Sequence, residues 1–354
     1  MENATDLFVA IFISFVITIG TGFIGIKIAQ HIGLIDWPGS APHKQHTNPT
    51  PLAGGIALIL SLILLGVIFR TWVSREILIT FLGAAIIFAF GLWDDAKGLS
   101  PAVKLIGQLA AVILVLSFGI QVQIFGNITF INFHSHNLNE MADWAVTIFW
   151  LVGMTNAFNM IDSMDGIVAG ISSLTCLFLM VATFAARQPF LYELCAILLG
   201  ICIGLYFYNA SPARFFLGDS GAQTLGFIFA VIALLYSPLQ EYQASSWYVP
   251  ILFMSVPIFD TALVVYSRLR HREPIFQGSR NHTYHRLVTL GLDPGRAVLL
   301  IHMAALSLDC LALIALSLQP VYANIVFFGC VVVGLCLMII LDGRKIWALQ
   351  NLNL

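Results

Sequence analysis

Eleven apolar stretches recur along the chain, each close to the length a helix needs to cross a bilayer. They occupy residues 7–29, 52–69, 77–93, 102–121, 144–160, 166–184, 190–208, 221–236, 248–267, 297–316 and 321–341. A membrane's hydrocarbon core is about 30 Å thick and a helix rises about 1.5 Å per residue, so about 20 residues span it. Charge agrees with this reading. Only 10% of the 354 residues are charged and 59% are hydrophobic, against about 25% charged in an average soluble domain. A soluble enzyme and a disordered chain are both excluded. A net charge of −2 excludes a nucleic-acid binder held by bulk charge. The expectation is an all-α integral membrane protein, one polytopic domain over residues 1–354, with about eleven transmembrane helices.

Eleven spans put the two termini on opposite sides. The breaks at 30–51, 94–101, 161–165, 209–220, 268–296 and 342–354, with the span ends at Lys27 and Lys104, carry 13 of the 16 Lys and Arg residues. Arg70, Arg75 and Arg187 lie in the opposite set. The positive-inside rule makes the first set cytoplasmic, with the N-terminus outside and the C-terminus inside. MENATD has no basic residue, which argues against a cleaved signal peptide and for a retained first span. Segment 120–136 alternates apolar and polar residues around Gly126-Asn127, the pattern of a small external β-hairpin. The six cysteines sit in apolar spans without a Cys-x-x-Cys pair and read as small packing residues.

Acidic residues in or beside membrane helices cost about 2.5–3.5 kcal/mol each on insertion scales and mark function by default. Here they cluster on the expected cytoplasmic side. Asp94-Asp95 ends the third span in GLWDDAKGLSP. Two adjacent carboxylates need a cation or a proton between them, so the pair reads as a metal-phosphate site or a general base, or else as a solvated helix end with Lys97 as partner. In NAFNMIDSMDG, Asn156, Asn159, Asp162 and Asp165 recur every three residues on one drifting helical stripe. That stripe suits a polar ligand or a metal; its alternative is a polar seam between helices. Asp219 stands in FFLGDSGA, where a helix N-terminus offers N–H groups to phosphate and a carboxylate offers an oxygen to Mg²⁺; the alternative is an ordinary cap. Asp260 is either a buried member of the site or an ion-pair partner. The loop 268–296 carries six Arg and, in RNHTYHR, Arg280, His282, His285 and Arg286, a density that suits an anionic substrate. Zinc held by His282 and His285 lacks further ligands. Lys44 and His46, in the Pro-rich first loop, add charge to the same face.

Five elements in this order resemble the polyprenyl-phosphate N-acetylhexosamine-1-phosphate transferases: the Lys44/His46 loop with PTPLAGG, DDAKGLSP, NAFNMIDSMDG, FFLGDSGA and RNHTYHRL. The likeness runs from near Asp36 to about Gly291. It implies transfer of a sugar 1-phosphate, most closely GlcNAc-1-phosphate, from a UDP-sugar to undecaprenyl phosphate, with release of UMP. This reaction starts cell-envelope glycan synthesis at the cytoplasmic face of a bacterial inner membrane. The resemblance implies Mg²⁺, with Mn²⁺ as an alternative, and a homodimer as a further assembly. It makes Asp219 the metal ligand and Asp94 and Asp95 the catalytic pair. It places Asn156, Asn159, Asp162 and Asp165 along the nucleotide-sugar site, Phe216 against uracil, and Lys104 by the phosphates. His282 and His285 match the outer histidines of a His-x-His-His loop. The chain departs from the family pattern at His43, Gly98, Ser279 and Tyr284, which bears on the sugar more than on the reaction. Arg280 and Arg286 bring the loop closer to the GlcNAc branch than to the phospho-MurNAc-pentapeptide branch, the family alternative. The alternative of a different class is a proton-coupled transporter, which would place acids near mid-bilayer and often show inverted repeats; no repeat is evident.

Overall fold

A computed structural model describes residues 4–39, 48–125, 135–238, 248–274 and 282–343. The expected spans become helices: α1 (Ala4–His31), α2 (Gly54–Phe69), α3 (Arg75–Lys97), α4 (Pro101–Ser117), α5 (His136–Ile161), α6 (Ile167–Ala185), α7 (Pro189–Asn209) and α8 (Gly218–Leu235). After them come α9 (Val249–Phe253), α10 (Ser255–His271), α11 (Thr283–Thr289), α12 (Pro294–Leu316) and α13 (Pro320–Leu341). Among the described residues, eight of these helices are long and apolar enough to cross a membrane, and α2 and α4 are shorter apolar helices.

The expected span over 248–267 is divided. Pro257 lacks the N–H that would continue the α9 ladder, and its ring would crowd the carbonyl four residues earlier. The chain therefore stops at Phe253 and restarts at Ser255, which puts Pro257 in the first turn of α10, where proline is tolerated. The sheet also differs in place from the expected hairpin. Residues 120–125 form no strand and 126–134 lie outside the described residues. The two-stranded sheet found here is antiparallel, β1 (Ile35–Asp36) with β2 (Thr50–Pro51), and belongs to the first loop. Beyond β2 the chain continues into a parallel bridge from Leu52 to Phe216.

Helix α8 is the centre of the molecule. Every residue from Ser220 to Ile232 is buried, so this length of the helix has no solvent face, and its polar side chains must be paired within the protein. It packs on α2, α3 and α5. Small residues make the approach possible. A Cβ on Gly91 of α3 would lie 2.6 Å from the Ser220 Cα, and one on Gly55 of α2 would lie 2.8 Å from the Gly221 nitrogen. By contrast, α13 is apolar and mostly exposed, with only Ala323, Phe327 and Leu341 buried.

Gly91→Val should therefore prevent α3 from seating on α8, since backbone rather than a flexible side chain stands in the way. Gly329→Ala, where nothing lies within 4 Å, should be neutral or stabilising by about 0.5–1 kcal/mol. Thermal melting of the purified variants in detergent measures both; a normal transition for Gly91→Val would contradict this packing.

Candidate functional site

The site begins where α8 begins. The turn into the helix needs a left-handed residue, and Gly218 takes φ = 69°, a conformation glycine adopts without a Cβ clash. The first N–H groups of the helix have no intrahelical acceptor, and here no water-facing surface serves them. Asp95 does. Its Oδ1 accepts from the Asp219 nitrogen at 2.8 Å, and its Oδ2 accepts from the Ser220 nitrogen at 3.1 Å and the Ser220 hydroxyl at 2.6 Å. The same turn is stitched to the first loop: Phe216 N–H donates to Pro51 O, Gly54 N–H to Phe216 O, and Gly55 N–H to Leu217 O, at 2.9, 3.0 and 3.1 Å. Three sequence-distant motifs thus meet through the main chain.

Asp219, one residue into α8, faces outward from this turn. Lys104, on the first turn of α4, donates to Asp219 Oδ2 at 2.8 Å and also pairs with Asp94 Oδ2. The side chains of Lys104 and Asp219 are 30% and 29% exposed, whereas that of Asp94 is 6% exposed. An incoming ligand therefore meets Lys104 and Asp219 first, with Asp94 behind the ammonium. Asp94 Oδ1 also accepts from the Leu99 N–H, which closes the end of α3.

The stripe on α5 divides its work. Asn159 donates to Asp219 Oδ2 at 3.4 Å, beside Gln223 at the same distance. Asn156 instead forms a paired amide with Gln108: Nδ2 donates to Gln108 Oε1 at 2.9 Å, and Gln108 donates back to Asn156 Oδ1 and on to Gln223 Oε1, each at 3.1 Å. Gln108 and Gln223 went unread in the sequence. Their signal was an uncharged amide inside an apolar helix, which costs stability unless paired. Asp162 lies just past α5. Burial, followed by the negative charges of Asp219, Asp95 and Asp165, pushes its carboxyl well above the usual range. Asp165 points elsewhere and accepts from the Ala213 N–H at 3.1 Å. Phe216 is half-buried and joins the site through its main chain.

The other cluster is the α10–α11 corner. His282 Nδ1 lies 2.8 Å from Asp260 Oδ2. His282 and His285 are both partly exposed, with ring centroids 6.3 Å apart. Asp165 reaches this corner electrostatically, since burial and then its charge raise the Tyr284 hydroxyl above its ordinary range. Arg286 corrects a sequence expectation. Its side chain is fully buried, donating to Leu341 O at 2.6 Å and to Asp342 Oδ1 at 3.1 Å. A guanidinium sealed in that way ties α11 to the end of α13 rather than meeting a ligand. Burial opposes the charge on Asp342, but hydrogen bonds from Arg286 and Arg270 and the attraction of the Arg286 charge hold its carboxyl below the usual range. Lys44, His46 and Arg280 lie outside the described residues.

The arrangement presents an ammonium and a carboxylate at a surface backed by further acids, with oxygen ligands throughout. Among the described residues no three acidic or imidazole groups close round one point. The partly exposed Asp219 carboxylate supplies the oxygen donor that a hard cation takes.

Comparison with known proteins gives a consistent set. The model of glycosyl transferase family 4 matches residues 77–237, which contain Asp94, Asp95, Lys104, the α5 stripe and Asp219. The chain is 30% identical over 307 residues to a protein of Bacillus subtilis named probable undecaprenyl-phosphate N-acetylglucosaminyl 1-phosphate transferase, covering 85% of this chain and 84% of that one. It is 26% identical to the decaprenyl-phosphate N-acetylglucosaminephosphotransferase of Mycobacterium tuberculosis, over 78% of this chain and 74% of that one. It is 30% identical to the phospho-N-acetylmuramoyl-pentapeptide-transferase of Clostridium acetobutylicum, over 64% and 74%.

Two variants test the site's construction. Asp95→Asn keeps the shape but removes one acceptor oxygen, so it leaves a buried donor unmet at the start of α8. It should cost about 1–3 kcal/mol, read as a lower melting temperature. For Asp162 the sign runs the other way. A carboxyl whose folded value is raised favours the protonated fold, so its contribution is present at low pH and lost as pH rises through the folded value. Asp162→Asn should therefore be more stable than the wild type at pH 8, with the difference shrinking toward pH 4; a gap that widens toward acid would refute the assignment.

Proposed function

The chain belongs to glycosyl transferase family 4, and from that premise we propose that it transfers N-acetylglucosamine 1-phosphate from UDP-N-acetylglucosamine to undecaprenyl phosphate and releases UMP. The observation that carries this reading is the meeting of Lys104, Asp94 and Asp219 at one partly open surface, held there by Asp95. Such a surface suits a diphosphate, whose charge needs both a cation and fixed N–H donors.

The roles follow from exposure and bonding. Lys104 contacts the diphosphate of the donor. Asp219 would hold Mg²⁺, with Mn²⁺ as the alternative, since its partly exposed carboxylate offers the oxygen such an ion takes; Asp162 lines the nucleotide-sugar side. When bound, that ion supplies charge neutralisation on the leaving UMP. Asp95 is a positioning residue, since both its oxygens serve the α8 turn. Asp94 orients the acceptor phosphate or takes its remaining proton. A phosphate monoester has a second pKa near about 6, so little base strength is required. Asn159 fixes the Asp219 carboxylate. Phe216, His282 and His285 complete the nucleotide-sugar side, with Lys44, His46 and Arg280 contributing from their loops. Positioning and electrostatics supply most of the rate.

The active face is cytoplasmic, in the inner membrane of a bacterium. On this reading the Lys and Arg distribution puts the N-terminus outside and the C-terminus inside, and the product begins a cell-envelope glycan. A homodimer is the expected assembly. A second reading takes UDP-MurNAc-pentapeptide as donor, favoured by the relative from Clostridium acetobutylicum. The relative from Bacillus subtilis, matched over 85% of this chain, speaks for the first.

UMP release by purified protein in detergent, with undecaprenyl phosphate, Mg²⁺ and either donor, separates these. UDP-N-acetylglucosamine should support turnover, chelation should stop it, and added Mg²⁺ should restore it. Asp219→Asn should abolish release while leaving the melting temperature near that of the wild type. Wild-type turnover in Asp219→Asn would sink the assignment.

A further inference from the structure

We propose that Asp260 is a positioning residue for His282, and that α11 is a platform built to offer one nitrogen of that ring to the donor substrate. This rests on the reading that the site transfers a sugar phosphate.

Asp260 lies on α10 and is 1% exposed. Both of its oxygens go to the start of α11: Oδ2 to His282 Nδ1 at 2.8 Å, and Oδ1 to the Thr283 N–H at 2.7 Å. His282 is the N-cap of α11, and its own side chain makes no capping bond. The first free N–H of that helix is thus met by a neighbouring helix. An ionised carboxylate only accepts hydrogen bonds, so Nδ1 carries the hydrogen and Nε2 is the nitrogen left for a ligand. A cap alone would have needed one oxygen; the second fixes the ring's orientation and its tautomer.

The rest of α11 is held to match. Seven residues make about two turns, too short to be stable alone. Arg286 locks the helix to Leu341 O, at the end of α13, and to Asp342 just past it, while Arg270 on α10 binds Asp342 Oδ2 at 2.9 Å. Tyr284 and Arg286 face inward and are buried, whereas His282 and His285 are partly exposed. Two buried carboxylates, one on α10 and one just past α13, therefore set the pose of a helix whose open face carries the two histidines.

The test uses the full-length protein in detergent and compares Asp260→Asn, His282→Gln and the double variant. Asparagine still accepts from Thr283 N–H, so α11 keeps its cap, but it no longer presents a carboxylate to Nδ1. Asp260→Asn should lower kcat for UMP release by about tenfold or more, the scale of loss seen when a group orienting a histidine is removed. KM for UDP-N-acetylglucosamine should stay within about threefold, because the groups that contact the donor are unchanged. The double variant should be no slower than His282→Gln alone. Losses that multiply in the double variant, or an Asp260→Asn protein with unchanged kcat, overturn the proposal. If Asp260→Asn does not accumulate, ¹⁵N spectra of histidine-labelled wild-type protein decide instead. A His282 ring protonated at Nδ1 supports the proposal, and a neutral ring protonated only at Nε2 overturns it. Failure of the proposed reaction reads differently: the wild type would release no UMP from either donor, and the tautomer measurement would still stand.

Discussion

One carboxylate at the mouth of a buried helix holds this molecule's functional face together. Helix α8 is buried on every side from Ser220 onward, so its first N–H groups cannot turn to water. Asp95 takes three hydrogen bonds there from Asp219 and Ser220. The contact demands room, which Gly55, Gly91 and Gly218 supply by having no side chain. With that turn in place, Asp219 is aimed outward and the 216–217 main chain is free to pair with the first loop. Without it, the helix would begin with unmet donors in an apolar setting, at a cost of about 1–3 kcal/mol for each.

The acids of this face divide into those that build and those that wait. Asp95, Asp165 and Asp342 are each committed to main-chain or Arg partners. Asp94 shares Lys104 with Asp219, and only the latter pair is open to an incoming group. Asp162 sits where burial and three like charges disfavour its ionised form.

Much of this was legible in order and little of it in detail. Apolar length located the helices, because the lipid requirement acts residue by residue. It misjudged 248–267, where Pro257 acts through one missing N–H. Asp94, Asp95, Asp162 and Asp219 were conspicuous because charge is rare in such a chain. Their separate tasks were not, since a carboxylate's role depends on what donates to it. The same blindness made Arg286 look like a phosphate contact, when it is an anchor to Asp342. It also hid Gln108 and Gln223, whose value lies in facing Asn156 and each other across three helices.

The sequence alone determined the solvent and the inventory of reactive groups. Composition decides where a chain can be placed, and a motif's residue types decide what chemistry is available. Only the tertiary structure decided assignment. It made Asp95 a helix cap, left Asp219 and Lys104 open, and put Asp260 behind His282. Those outcomes depend on hydrogen bonds between residues 22 to 125 positions apart, and no local pattern can report which donor will arrive at which acceptor.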